Sequence, residues 1–324
     1  MNARGRVFLL VALAAVAASG VVVIGVLATR SSVPSVKPRA GLPPLALDFG
    51  LRTDPEARAL QLAEQLYNRS RRKEQKERAA GIFARYHSLE ADVGAALAAW
   101  PSGTVKRLQT LAAEHPRSSL VALHLGFALY WSHRDQEAET AWRAAEKLQP
   151  DSPYAVRAAD LLHPRLFTGL PTFVPSFEAP RRITVLTPAL QVAALERAAR
   201  TGGAHAKILY GVALQKLERP RSAERQFAAA ARASPHDPEA LAAAAVGRFD
   251  KDDPSRAFSR LGPLVLAFPH AQTVRFHLGL LLIWIGDVNR ARTELRLARG
   301  EGPRTPLGEE ASKLLGALNQ AGTR

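Results

Sequence analysis

Residues able to do chemistry are present in this sequence, but their spacing does not assemble a reaction. Nine histidines are scattered over 324 residues, with no HExxH frame and no histidine pair four apart, so neither the metal nor the general base of such a site is supplied. His133-Arg134-Asp135 has the order of a kinase catalytic tripeptide, yet no glycine-rich phosphate loop accompanies it, and it falls at a turn between two expected helices. Thr201-Gly202-Gly203 likewise marks a turn, because no Gly-Lys-Ser/Thr follows to cradle a phosphate. There is no cysteine, which removes disulfides, thiolate nucleophiles, iron–sulfur clusters and cysteine zinc sites together. The expectation is a non-enzymatic chain with no catalytic residue, no metal and no cofactor.

The elements that would position any side chain follow from composition. Alanine and leucine are abundant and aromatics make up 6%, a mixture that loses little on entering helices and predicts an all-α protein. The formal charge is +15 and arginine outnumbers lysine by about four to one, which fits either an anionic partner or a compositional bias toward Arg and Ala. Nucleic acid is not the expected partner. The basic run Arg69, Arg71, Arg72, Lys73, Lys76, Arg78 is interrupted by Glu74 and Glu77, as on a solvated helix face. Asn68-Arg69-Ser70 fits a glycosylation acceptor in form only.

Near the N-terminus, Val7 to Ala28 contains no charge. As a helix these 22 residues reach about 33 Å, against a hydrocarbon core of about 30 Å. A secretory signal has a shorter apolar region, so an uncleaved transmembrane anchor is the better reading, although Val26-Leu27-Ala28 resembles a cleavage site. No cysteine follows for lipidation. The short tail before the run has no acidic residue, and residues 31–324 are expected outside the cytoplasm. Pro34, Pro38, Pro43 and Pro44 then predict a stiff spacer between anchor and folded body.

A 34-residue period organises the rest. Starts at Ala204, Pro238 and Gln272 align Gly211, Ala245 and Gly279 at the eighth position and Ala223, Ala257 and Ala291 at the twentieth. Phe227, Leu261 and Leu295 fall at the twenty-fourth position, and Pro235, Pro269 and Pro303 at the thirty-second. A fourth copy begins at Ser119, with Gly126, Ala138, Trp142 and Pro150 in register, and a degenerate fifth runs from Arg85 to Ser118. This small, small, bulky, Pro pattern resembles the tetratricopeptide repeat family, a unit of about 34 residues that folds as helix–turn–helix. The resemblance implies a right-handed α-solenoid of stacked hairpins, preceded here by a single transmembrane helix. Such units bury their apolar face only against neighbours, so the ends need caps.

The expected organisation is an anchor over 1–30, a Pro-rich linker over 31–50, a helical hairpin over 51–84 and repeats over 85–162. An insertion over 163–187 follows, then repeats over 188–305 and a capping helix over 306–324. The insertion carries Pro164, Pro171, Pro175 and Pro180, which exclude a regular helix, but also Leu166, Phe167, Leu170, Phe173, Val174, Phe177 and Ile183, which are too apolar for a solvated loop. It either lies back over the solenoid, covering its groove or offering an edge to a partner, or plugs a gap between two half-arrays.

In the resembled family the first helix of each hairpin lines the concave face, and positions 2, 5, 9, 12 and 13 tend to meet a bound peptide. Carried over, this selects Phe127, Tyr130 and Trp131, then His205, Gln215 and Lys216, then Phe249 and Asp250, and finally Phe276, Leu280, Ile283 and Trp284. Leu123 and Phe127 stand where a carboxylate-clamping member would have Lys and Asn, so a free C-terminal carboxylate is not the expected ligand. The implied function is a membrane-tethered scaffold for a protein or peptide, with envelope assembly as the setting. The alternative is a basic solenoid on an anionic polymer or lipid surface, which would lose binding steeply with salt.

Overall fold

The computed structural model describes residues 38–69 and 73–321; the apolar run 7–28 lies outside the described residues. Within them no helix is long and apolar enough to cross a membrane, and sixteen helices and no strand are found. In order these are α1 (Pro55–Asn68), α2 (Lys73–Phe83), α3 (Leu89–Ala98), α4 (Thr104–Glu114), α5 (Ser119–Trp131), α6 (Asp135–Leu148) and α7 (Pro153–Leu162). After the short α8 (Arg181–Thr184) come α9 (Pro188–Thr201), α10 (Ala204–Lys216), α11 (Pro220–Ala233), α12 (Pro238–Val246) and α13 (Ser255–Ala267). The last three are α14 (Gln272–Trp284), α15 (Val288–Glu301) and α16 (Pro306–Ala321).

The helices start at the aligned repeat positions 119, 204, 238 and 272. Local chemistry explains why. Asp54, Ser118, Ser152 and Asp237 each accept a bond from an amide of the first turn they cap, and Pro55, Pro153, Pro188, Pro220 and Pro238 occupy first helical positions where no amide donor is needed. The first helices of three hairpins end alike. His133, Glu218 and Gly286 adopt left-handed backbone (φ 60°, 54° and 81°), and the amide after each bonds back to Leu129, Leu214 and Leu282 at 2.9–3.0 Å, satisfying a carbonyl left over at the helix end. His133-Arg134-Asp135 is therefore such a turn.

Within a hairpin, the small eighth residue meets the bulky twenty-fourth. A Cβ on Gly126 would stand 2.3 Å from the Trp142 indole nitrogen, and one on Gly211 would stand 2.4 Å from the Phe227 ring, so only glycine lets these helices close. Between hairpins, first helices pack on first helices: α1 on α3, α3 on α5, α5 on α7, and α10 on α12, α12 on α14, α14 on α16. No comparable packing joins the second helices. The array therefore curves with first helices inside and second helices outside.

The apolar core is not continuous along the chain. One cluster spans the second half from Phe173 to Leu315, and two adjoining clusters fill the first half from Leu45 to Ala158. Polar contacts join the halves: Arg219 to Asp48 at 2.6 Å, the Ser222 amide to Asp151 at 2.9 Å, His163 to Asp252 at 2.8 Å, and the buried Lys251 to Asp160.

Candidate functional site

The inner face of each half holds an extended segment of the chain itself. In the first half this is residues 38–50, for which the sequence predicts a spacer standing off the body; apolar side chains decide otherwise. Leu45 is 2% and Phe49 7% exposed, both inside the core. Four consecutive amides of this segment end on four helix side chains. Leu45 N–H donates to Asn68 Oδ1 at 3.0 Å, Ala46 N–H to His124 Nε2 at 3.0 Å, Leu47 N–H to Glu64 Oε1 at 3.0 Å and Asp48 N–H to Tyr154 Oη at 2.8 Å. Asn68 returns a bond to the Leu45 carbonyl at 2.7 Å, and Tyr67 Oη donates to the Pro43 carbonyl at 2.8 Å. The upstream end is fixed by Arg39, whose amide donates to the Trp131 carbonyl at 2.8 Å and whose guanidinium pairs with Asp135 while lying 3.5 Å over the Tyr130 ring.

In the second half the occupant is the insertion, which lies within the inner face rather than over it. Phe173 is 1% exposed and stacks on His277 with ring centroids 4.2 Å apart. Every amide available between 173 and 176 is taken, Pro175 having none. Phe173 N–H donates to Gln215 Oε1 at 2.9 Å, Val174 N–H to His277 Nε2 at 3.0 Å and Ser176 N–H to Glu239 Oε1 at 2.6 Å. The Ser176 hydroxyl also meets Glu239 Oε2. Upstream, Gly169 N–H donates to Asp160 at 2.9 Å, and buried Lys251 donates to the Phe167 carbonyl at 2.7 Å. Prolines exclude helix as far as Pro180; from there to Thr187 none intervenes, and the single turn α8 forms.

His124 and His277 do the same work. Each sits four residues beyond the carbonyl that its Nδ1 meets at 2.7 Å, that of Leu120 or Thr273. The amide on the other side can only donate, so each Nε2 is the acceptor and each Nδ1 carries the hydrogen. Both rings are fully buried, and burial pushes both down to about 4, helped at His124 by the nearby Arg157 cation. They are neutral acceptors near neutral pH. Glu64 is raised by burial against the bond from Leu47.

The residues selected from the sequence fall into three groups. Gln215, Trp131, Tyr130 and Trp284 touch the extended segments: the Trp284 indole lies 3.5 Å from the Gly169 carbonyl and its ring centroid 5.9 Å from that of Phe167. His205 lies 4.1 Å from the Phe177 ring. Phe127, Phe276, Leu280 and Ile283 are buried in the cores. Phe249, itself buried in the second core, borders clefts near Leu170 together with Asp250 and Lys216, and Asp250 accepts from Arg256 at 2.9 Å and from Arg221 at 3.5 Å.

The acceptors Glu64, Asn68, His124, Tyr154, Glu239 and His277 escape an argument from repeat position. A signal for them exists, however. Gly41-Leu42-Pro43 recurs as Gly169-Leu170-Pro171, and His124-Leu125-Gly126 recurs as His277-Leu278-Gly279.

Hairpins of this length and helix order, curved with their first helices inside, make this a tetratricopeptide-like array. No protein-family model matches the sequence, and no curated protein matches it. Similar solved structures include YrrB, described as a TPR protein with an unusual peptide-binding site, at 15% identity and a TM-score of 0.31 over 64% of this chain and 99% of that one. Yeast Tom70 is similar at 13% identity and a TM-score of 0.33, over 83% of this chain and 59% of its own. Cut9 with Hcn1, from the APC/C, is similar at 15% identity and a TM-score of 0.27, over 80% and 55%. This chain thus spans little more than half of the latter two. At such scores the assignment rests on the hairpin geometry itself.

Proposed function

We propose that this chain is a non-enzymatic scaffold whose inner faces bind an extended segment of a protein partner. The observation behind this reading is that side-chain acceptors on the first helices meet successive main-chain amides of an extended strand. Such bonds recognise a peptide backbone whatever its side chains, while pockets such as those around Leu45 and Phe173 select among sequences. The aromatic residues Tyr130, Trp131 and Trp284, on the same face, suit anchoring contacts.

In this reading the apolar run 7–28 tethers the array to a membrane, residues 31–324 lie outside the cytoplasm, and the partner belongs to envelope assembly. The test is crosslinking of the full-length protein in its native membrane followed by mass spectrometry, beside a Trp131→Ala, Trp284→Ala double variant. One protein captured by the native chain and lost in the variant is the expected result. Capture that ignores both tryptophans would sink the inner-face reading.

A further inference from the structure

The two extended segments share a sequence pattern and a mode of contact. Aligned without a gap, 41–50 reads Gly-Leu-Pro-Pro-Leu-Ala-Leu-Asp-Phe-Gly and 169–178 reads Gly-Leu-Pro-Thr-Phe-Val-Pro-Ser-Phe-Glu. The shared residues have shared tasks. Gly41 and Gly169 both take left-handed backbone, φ 88° and 79°, which glycine adopts without strain. Leu42 and Leu170 both pack on the core, and the Pro43 and Pro171 carbonyls both face a donor, Tyr67 Oη at 2.8 Å and Gln215 Nε2 at 3.4 Å. The fifth residue is the deep anchor in both, Leu45 or Phe173, and its amide meets a carboxamide near the end of a first helix, Asn68 of α1 or Gln215 of α10. The sixth amide meets the buried histidine, and the ninth residue is phenylalanine.

Resting on the scaffold reading above, we infer that each half is a site for an extended Gly-Leu-Pro-x-apolar-apolar segment, and that a partner protein bearing this pattern occupies the first site by displacing residues 41–50. The first site is the exchangeable one. Residues 169–178 run directly between two helices, α7 and α9, whereas among the described residues 41–50 are followed by a helix, α1, and preceded by none. Nothing is required of amides at the third and fourth positions, where 41–50 carries two prolines, so a partner with proline there loses no bond. The seventh position discriminates: Glu64 accepts an amide there, and a partner segment with proline at that place, as 169–178 has, leaves this half-buried acceptor without that donor.

A tethered segment competes at an effective concentration of roughly millimolar, so the native chain masks its own site. The test uses the full-length chain in detergent and a fluorescent peptide of sequence 41–50, followed by anisotropy. Leu45→Asp in the protein places a carboxylate in the buried pocket and loosens the tethered segment. This variant is expected to bind the peptide at least tenfold more tightly than the native chain, and adding His124→Ala should weaken that binding about tenfold. Unlabelled 169–178 should compete several-fold less well than unlabelled 41–50, and a scrambled peptide not at all. A folded Leu45→Asp chain that ignores the peptide, or binds it indifferently to His124, overturns the inference. Should that variant not fold, a protease site placed in the 51–53 turn of the otherwise native chain serves instead. After cleavage, labelled 41–50 should exchange with the severed segment, and absence of exchange counts against the proposal. Partner capture in membranes together with failure of the peptide would leave the scaffold standing and remove only this specificity.

Discussion

The segments 38–50 and 163–180 lie on equivalent faces, yet they are held in different balance. The first is fixed mainly through its backbone: four successive amides, two carbonyls and a guanidinium at the upstream end are all bonded. The second gives up one amide to Pro175 and gains an aromatic anchor, with Phe173 stacked on His277 and touching Phe227 at 5.8 Å. Backbone bonds set register and contribute about 0.5–1.5 kcal/mol each, whereas a buried aromatic ring contributes area and dispersion. The comparison teaches that one recognition scheme can serve as an exchangeable contact or as a piece of core, depending on the fifth residue and on whether, among the described residues, a helix flanks the segment at one end or at both.

The largest test of that difference is truncation of the anchors. Phe173→Ala is expected to cost about 3–5 kcal/mol and Leu45→Ala about 2–5 kcal/mol in urea unfolding. Because the two residues belong to different cores, their costs should add to within about 0.5 kcal/mol; a larger coupling would mean that the two anchors communicate through the polar contacts between the halves. Removing 165–183 altogether should lower the melting temperature of the second half while leaving first-half hydrogen-exchange protection intact, since the Ala46 amide rests on α5.

Acid should strike both segments through the same atom. The native state excludes a proton from His124 and His277 down to about pH 4, while the unfolded chain takes one near pH 6.5. The stabilisation is complete above the unfolded value and falls as pH drops from there toward the folded value, by about 1.4 kcal/mol per pH unit for each histidine. Urea midpoints at pH 7, 6 and 5 should show this slope halved in His124→Gln or His277→Gln. An unchanged slope would show that protonation elsewhere dominates.

Smaller effects separate the hairpins themselves. Gly211→Ala pushes a methyl into the fully buried Phe227, whereas Gly126→Ala meets Trp142, which is 8% exposed. Both should destabilise, by about 1–3 kcal/mol, with Gly211→Ala the worse in thermal melts. Smallest is Arg39→Ala, which removes an ion pair with an exposed Asp135 and a contact with Tyr130. Its cost should stay at or below about 1 kcal/mol, and salt should erase most of the loss.

The period of the sequence located the starts of α5, α10, α12 and α14 to the residue, because a small residue facing a bulky one across each hairpin is a local requirement that recurs in every copy. The acceptors on the inner face were less legible. Asn68, His124 and Tyr154 lie at different repeat positions, and each is defined by an extended strand 23 to 106 residues away in sequence. The apolar residues of 163–187 announced burial, either over the groove or in a gap between half-arrays, and periodicity cannot choose between the two for a segment that has no period.

From sequence alone came the all-α repeat and the helix starts at 119, 204, 238 and 272. All of these follow from local propensity and from spacing along one chain. Only the tertiary structure decided that 41–50 fill the first inner face, that 169–178 occupy the second rather than plugging a gap, and that two histidines are buried neutral acceptors. The physical reason is that an amide in an extended strand must find its acceptor elsewhere, and which side chain supplies it is fixed by the curvature of the whole array.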